Sequence, residues 1–443
     1  MSAVEAPPTT AEIHRRRVLI LGGGYVGLYT ALGLQRARAR VPMEITLVNP
    51  ENFMTYQPFL PEVASGLIEP RHVVLSLRQS LPHVRLLVGE AERIDAASRS
   101  VRVRLMGGTG TDVAYDVLVV GAGSRSRVLP IPGLKERAIG FKRVEEAVFL
   151  RNRVLSRLDL GAETEDEAKR RAALTFVFVG AGYAGVEALA ELEDLSRTAV
   201  GAIPNLSRND LRWVLVEASD RILPELDARL ARYAQRRLEK RGIEVLLNTR
   251  LESAEDDVMR LSNGDAFEAQ TLVWTAGVKP EPLAAHSDLP LDERRRIRVD
   301  ACLRVIGAEN VWAAGDAAAV PDAFTGGTSP PTAQHALRQA KRMASNIIAT
   351  FEGAEPQPFR YRNLGQLCSL GRYKGVAIVL GVKLRGFPAW LLHRSYHLLK
   401  MPTLGKKVRI AFDWTVGLFF SQDVVQLGSL QSPHEPFERA SED

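Results

Sequence analysis

Apolar residues along this chain gather into two copies of one pattern. Arg15, Arg16 and Arg17 precede the apolar run 18–21, which ends in a glycine turn and continues as YVGLYTALGL with helical spacing. A short continuous apolar run between such flanks reads as a strand buried on both faces of a parallel sheet. EITLVN (44–49) predicts the next strand. After an irregular stretch at 52–66, YDVLVVGAGS (115–124) predicts another strand running into glycines. The pattern returns at LTFVFVGAGYAGVEALAEL (174–192), with LRWVLVEAS (211–219) as the following strand.

Other segments fill in the alternation of strand and helix. Residues 142–172 predict a charge-rich helical region in which GAETEDEAKRR (161–171) reads as an exposed loop. LARYAQRRLEKRG (230–242) predicts an amphipathic helix stopped at Gly242, followed by the strand IEVLLN. TLVWTAGV (271–278) and NVWAAGDAAAV (310–320) are two more strand-to-turn elements. Residues 329–353 predict a helix with Ser329 as N-cap, prolines in its first turn and Gly353 as its stop. From about residue 360 short strands give way to two amphipathic aromatic segments.

The two glycine turns carry the candidate chemistry. Gly22, Gly24 and Gly27 form GxGxxG between a strand and a helix, and Gly180, Gly182 and Gly185 do the same. In a dinucleotide fold the first glycine permits the tight turn. The second lets a pyrophosphate approach the backbone, and the third lets helix and strand pack closely. The helix N-terminus then offers N–H groups and a favourable dipole to the phosphates. Two such units, each in the right context, predict two dinucleotide sites on an α/β fold of two Rossmann-like domains. Glu217 closes the second strand of the later unit, where a carboxylate accepts from ribose hydroxyls and repels a 2′-phosphate, favouring NADH over NADPH. Asn49 stands at the equivalent position of the first unit, either as a ribose contact or as a turn residue before Pro50.

Composition narrows the setting. A length of 443 residues calls for more than one domain, and 46% hydrophobic with 25% charged residues is ordinary for a globular protein. The formal charge of +6 fits an anionic ligand or an anionic membrane surface and does not by itself indicate nucleic acid. Two distant cysteines, Cys302 and Cys368, give no disulfide framework, local metal cluster or Cys-x-x-Cys pair, and point to a reducing compartment. Residues 1–14 have no apolar core and read as a disordered leader. No uninterrupted apolar run is long enough to span a bilayer.

In order and wording, GGGYVGLYTAL, VVGAGS, FVFVGAGYAGVEALAEL, VWTAGV and VWAAGD resemble the two-dinucleotide flavoproteins of the pyridine nucleotide–disulfide oxidoreductase superfamily. Within it the chain looks most like a type II NADH:quinone oxidoreductase. GAGYAGVE ends in Glu187, PPTAQHALRQA resembles the family's Ala-Gln-x-Ala-x-Gln helix, and GFPAWL falls in a C-terminal run similar to the family's. The resemblance implies FAD in the first unit, held by Gly22, Gly24, Gly27, Asn49, Gly121, Asp316, Ala333 and Gln334. It implies NADH in the second, held by Gly180, Gly182, Gly185, Glu217 and Gly277. Glu187, Gln334 and His335 are the candidate catalytic residues, with Gln334, Arg338 and Gln339 toward a quinone and no metal. The family's second glutamine is replaced here by Arg338, with Gln339 one place later.

The same resemblance implies an organisation of 15–140 and 266–355 for FAD, with 141–265 for NADH inserted between them. Residues 356–443 form a C-terminal membrane-associating or dimerisation region. There Phe387, Trp390, Leu391, Leu398 and Met401 read as one helical face flanked by Arg394 and Lys400, and Lys406, Lys407 and Arg409 precede IAFDWTVGLFF. Basic residues beside aromatic ones suit a helix lying on an anionic membrane, so the expected place is peripheral, on the cytoplasmic face of the cell membrane, with a homodimer as the competing use of that surface. Two other functions stay open at this point: a reductase of a soluble carrier such as ferredoxin or rubredoxin, and a nucleotide-sensing flavoprotein without turnover.

Overall fold

The computed structural model describes residues 15–363 and 365–426. The leader expected at 1–14 lies outside them, as does the end of the C-terminal region. The described residues form two compact units, each discontinuous in sequence. The first comprises 15–54, 75–125 and 279–362, and the second 55–74, 126–278 and 363–426.

A seven-stranded sheet forms the first unit, in the order Val311–Ala313, Val117–Val120, Arg16–Leu21, Met43–Asn49, Arg85–Asp95, Ser100–Leu105, Gly110–Ala114. The first five strands run parallel and the last two turn antiparallel. Arg16–Leu21 is central and its last four residues are buried, as its uninterrupted apolar run requires. It feeds the Tyr25–Ala37 helix, which packs on the Ala333–Phe351 helix. A Cβ placed on Gly33 would stand 2.6 Å from the Ala344 Cβ, so a glycine sets this close approach.

The second unit has a five-stranded parallel sheet in the order Ala138–Ile139, Thr271–Trp274, Thr175–Val179, Arg212–Val216, Ile243–Leu246. The Tyr183–Val200 helix follows the central strand. A core of Val177, Val214, Leu272 and Trp274 is sealed by Leu251, Met259 and Leu261 from a small antiparallel sheet. Residues beyond 364 add the antiparallel strands Gly365–Ser369, Gly375–Val379 and Val382–Arg385, then the helices Phe387–Lys400 and Leu404–Phe419.

Three local expectations are corrected. The loop expected at 161–171 is mostly helix: Val144–Glu163 is followed by Glu167–Ala173, because Asp166 caps the second helix by accepting from the N–H groups of Ala168 and Lys169 at 2.9 and 3.1 Å. The helix expected from Ser329 begins at Ala333. Thr332 is its cap, accepting from His335 N–H at 3.4 Å, and both prolines precede the cap. Arg394 is no exposed flank of its helix but is buried with Trp390 and His393.

Candidate functional site

Both glycine turns are built alike, and the packing around them separates the three glycines by role. Gly22 and Gly180 have φ of +93° and +106°, a left-handed conformation that a side chain would strain. A Cβ on Gly27 would lie 1.8 Å from the Gly22 carbonyl oxygen, and one on Gly185 would lie 2.0 Å from that of Gly180. Turn geometry and helix–strand contact therefore account for the first and third glycines. Neither accounts for the second. Gly24 and Gly182 have φ of −73° and −72°, open to any residue, and a Cβ there would meet nothing within 4 Å. Each is the N-cap of its helix and makes no side-chain cap bond. The protein leaves an open surface where backbone N–H groups face outward, which fits a pyrophosphate.

The residue closing the second strand braces each turn. Asn49 Oδ1 accepts from Gly23 N–H at 2.7 Å, while its Nδ2 donates to the Glu51 carbonyl at 2.8 Å. Glu217 Oε2 accepts from Ala181 N–H at 2.7 Å, and its Oε1 accepts from Ser219 N–H at 2.9 Å and from the Ser219 hydroxyl. The two side chains thus hold the same backbone position in the two units, and only the second brings a negative charge.

Around the first turn, Gly121 is packed against Val26, its would-be Cβ 2.7 Å from that side chain. Asp316 Oδ2 accepts from the Ser124 hydroxyl at 2.5 Å. The N-terminus of the Ala333–Phe351 helix is organised by Tyr361, which sequence reading missed. Its hydroxyl donates to Gln334 Oε1 at 2.9 Å, the Arg338 guanidinium lies 4.1 Å above its ring, and His335 meets it edge-on at 5.0 Å. Arg338 also donates to the Gln334 carbonyl at 2.9 Å. His335 is buried and joined to the Thr332 hydroxyl at 2.8 Å, and burial pushes its pKa below the ordinary imidazole value. Gln339 is buried as well, and its Oε1 accepts from Gly315 N–H at 2.8 Å, steadying the turn that carries Asp316.

In the second unit, Gly277 is exposed with φ +85° at the end of its strand. Glu187 is buried on the Tyr183–Val200 helix. Its Oε1 accepts from Ser369 N–H at 2.8 Å and lies 3.1 Å from His393 Nε2. Burial opposes charge on His393, yet Glu187 outweighs it and holds the imidazole above its ordinary pKa. The Cys368 thiol beside Glu187 is pushed far up by burial, so it is no thiolate nucleophile. Arg372 and Lys374 belong to this unit's frame: Arg372 N–H donates to Asp194 at 2.7 Å and its guanidinium to the Gly417 carbonyl at 2.7 Å, while burial lowers the Lys374 pKa.

A family model described as pyridine nucleotide-disulphide oxidoreductase matches residues 16–340. A type II NADH:quinone oxidoreductase of Mycobacterium tuberculosis is 32% identical over 427 residues, covering 92% of this chain and 89% of that protein. The chain belongs to the type II NADH:quinone oxidoreductase family. A demethylphylloquinone reductase of Synechocystis, 31% identical over 407 residues, covers 90% of this chain and 96% of its own length. The solved structure of NDH2 from Plasmodium falciparum with NADH superposes with a TM-score of 0.87 over 93% of this chain and 100% of that one. At 17% identity that likeness speaks to the fold. Beyond the motif residues, Tyr361, Thr332, Ser124 and His393 bond Gln334, His335, Asp316 and Glu187. Tyr361, Ser124 and His393 reach their partners through tertiary contact, which no spacing rule reveals, whereas Thr332 acts locally as the cap of its helix.

Proposed function

We propose that this chain is a FAD-dependent oxidoreductase that takes a hydride from NADH and passes electrons to a membrane quinone. The observation that carries the reading is the pair of open second glycines, Gly24 and Gly182, at two helix N-termini whose other glycines are filled by the protein itself. FAD, when bound, supplies the redox chemistry, accepting a hydride and releasing electrons to an acceptor. The chain's residues bind and orient. In the first unit Gly24 and the N–H groups that follow it receive the FAD pyrophosphate, Asn49 and Gly121 shape the turn, and Asp316 faces the flavin's polar chain. The Ala333 and Gln334 N–H groups at their helix N-terminus stabilise negative charge. Gln334, held by Tyr361, and Arg338 bond the quinone, while Gln339 steadies the turn that carries Asp316. His335, buried and biased to the neutral form, positions Thr332 rather than donating protons. Glu187 with His393 is the proton-handling pair.

Glu217 with Gly180, Gly182, Gly185 and Gly277 selects NADH in the second unit. Its carboxylate would sit beside a 2′-phosphate, so Glu217→Gln is expected to narrow the preference for NADH over NADPH by about tenfold, one charge contact at about 1.4 kcal/mol. The ratio of kcat/KM for the two nucleotides reads this directly, and an unchanged ratio removes Glu217 as the selector.

The C-terminal helices deliver the enzyme to its acceptor. Leu404, Val408, Phe412, Val416 and Phe419 recur at helical spacing and are all exposed, with Lys407 and Arg409 nearby. Among the described residues no helix is long and apolar enough to cross a membrane. We therefore place the protein peripherally on the cytoplasmic face of the cell membrane, where this face enters the interfacial layer of anionic lipid. A homodimer is compatible with it. Phe412→Asp is expected to weaken binding to vesicles containing phosphatidylglycerol by at least about tenfold, since burying one such side chain is worth about 1.5–3 kcal/mol. Unchanged cosedimentation would argue for a protein partner on this face.

The function itself is tested by anaerobic reduction. NADH should bleach the flavin of the purified protein, and a short-chain quinone should restore its colour. Restoration only by ferredoxin or rubredoxin would favour the soluble-carrier reading, and bleaching with no reoxidation by either would favour a sensor.

A further inference from the structure

One helical turn beyond Glu187, the Tyr183–Val200 helix buries a second acid. Glu191 is closed to solvent, with Oε1 accepting from the Ser369 hydroxyl at 3.2 Å and Oε2 from the Ser65 hydroxyl at 3.4 Å. Two carboxylates and two cations share this interior. Glu62 is paired with Arg394 at 3.0 Å and also accepts from Trp414 Nε1 at 2.8 Å. Glu187 faces His393. The Arg394 guanidinium is sandwiched by the indoles of Trp390 and Trp414, at 4.2 and 4.9 Å.

Among the described residues no cation is ion-paired with Glu191, and the nearby Arg394 and Arg241 are paired with other carboxylates. Further along its own helix, Asp194 and Glu193 are matched by Arg241. Arg151 of the Val144–Glu163 helix is turned to the carbonyls of Asp423 and Val425. His397 packs on His393 at 4.6 Å, and burial keeps it in the neutral form, with the charge of His393 adding to that effect. Cys368, next to Ser369, is a neutral thiol. Each inner cation is thus matched to another carboxylate, and a sealed carboxylate held only by neutral hydroxyls, with no cation paired to it, favours taking up a proton over keeping its charge.

We propose that Glu191 takes up and releases a proton in the working protein and acts as a positioning residue, its protonation state setting the charge felt by the Glu187–His393 pair. With that proton in place the cluster of Glu62, Glu187, Glu191, His393 and Arg394 is electrically balanced. Without it the cluster carries one excess negative charge, and His393 holds its own proton more tightly. Burial and the nearby Glu62 raise the Glu191 pKa to about 7 against the pull of Arg394, so the change falls near neutral pH. The consequence for turnover rests on the reading of Glu187 and His393 as the proton-handling pair.

Glu191→Gln, which copies the shape of the neutral acid, provides the test on the full FAD-loaded chain. In infrared difference spectra across about pH 5 to 9, a protonated-carboxyl band titrating near neutrality should appear in the parent and in Glu187→Gln, and vanish in Glu191→Gln. In stopped flow with a short-chain quinone, Glu191→Gln should match the parent at about pH 6 and lose its inflection near neutral pH. The flavin-reduction step by NADH should keep the same profile in both. Ser369→Ala, which removes a bond to the anion, should move the band's midpoint upward and serves if the glutamine variant folds poorly. A band retained in Glu191→Gln, a midpoint unmoved by Ser369→Ala, or an unchanged quinone-step profile overturns the proposal. A titrating band in a protein whose flavin no quinone reoxidises would leave Glu191 as described and overturn the quinone reading instead.

Discussion

Gly182→Ala yields a folded, flavin-loaded protein that NADH reduces at least about a hundredfold less efficiently, whereas Gly185→Ala, three residues away, damages the fold. Gly182 has an ordinary φ and open space before it, so its methyl group costs the helix less than about 1 kcal/mol as a poorer cap. That methyl occupies the place of a pyrophosphate. Losing two charge-assisted hydrogen bonds, at about 1.5–3 kcal/mol each, gives a hundredfold or more. On Gly185 the same methyl meets the Gly180 carbonyl oxygen at 2.0 Å and the Thr275 hydroxyl at 2.6 Å, so backbone must move. Gly24→Ala and Gly27→Ala should repeat the contrast in the first unit, with loss of bound flavin in place of loss of NADH reduction. Flavin absorbance, thermal melting and NADH kinetics on the four variants decide it. Equal damage to both members of a pair would mean that the second glycines serve the fold.

Arg394→Ala lowers the melting temperature by on the order of 10 °C. The guanidinium and Glu62 are both sealed, with side-chain exposures of 9% and 3%, and removing one partner of such a pair costs about 3–5 kcal/mol. For a unit of this size each kcal/mol moves the midpoint by about 2–4 °C. Glu191 adds a pH dependence whose sign differs from that of a paired acid. Its folded pKa lies above the unfolded one, so the folded state binds more protons between the two values. Stability on its account is full below about pH 4.3, the ordinary glutamate value, and is lost progressively as pH rises through about 7. Arg394→Ala should deepen that loss, since it removes a cation that opposes the upward shift. Melting curves at about pH 5 and 8 measure both effects, and a variant as stable as the parent at both would contradict the burial of the pair.

The strand–glycine–helix units were legible because they rest on local rules. Buried parallel strands are uniformly apolar, and a GxGxxG turn can be read from spacing alone. Asn49 and Glu217 were found by position, yet their shared work on Gly23 and Ala181 needed coordinates. The late start of the Ala333 helix was hidden because two prolines are welcome both before a cap and inside a first turn. The helix at Glu167–Ala173 was masked by charge, since a polar composition suits an exposed helix as well as a loop. The burial of Arg394 is not legible in sequence, which shows a cation on a helix and not the carboxylate of Glu62 that meets it. Glu191 did leave a signal: it stands four residues after Glu187, on the same face of a helix otherwise rich in alanine and leucine. An acid pair in that setting marks a buried polar cluster.

The two turns divide the labour, the first holding FAD and the second NADH. A crystal structure of the FAD-loaded chain soaked anaerobically with NADH tests this division. The FAD pyrophosphate should lie on Gly24 and the Tyr25–Ala37 helix N-terminus, and the NADH pyrophosphate on Gly182 with its ribose at Glu217. Density for either dinucleotide away from these glycines, or a second turn left bare at saturating NADH, would contradict it.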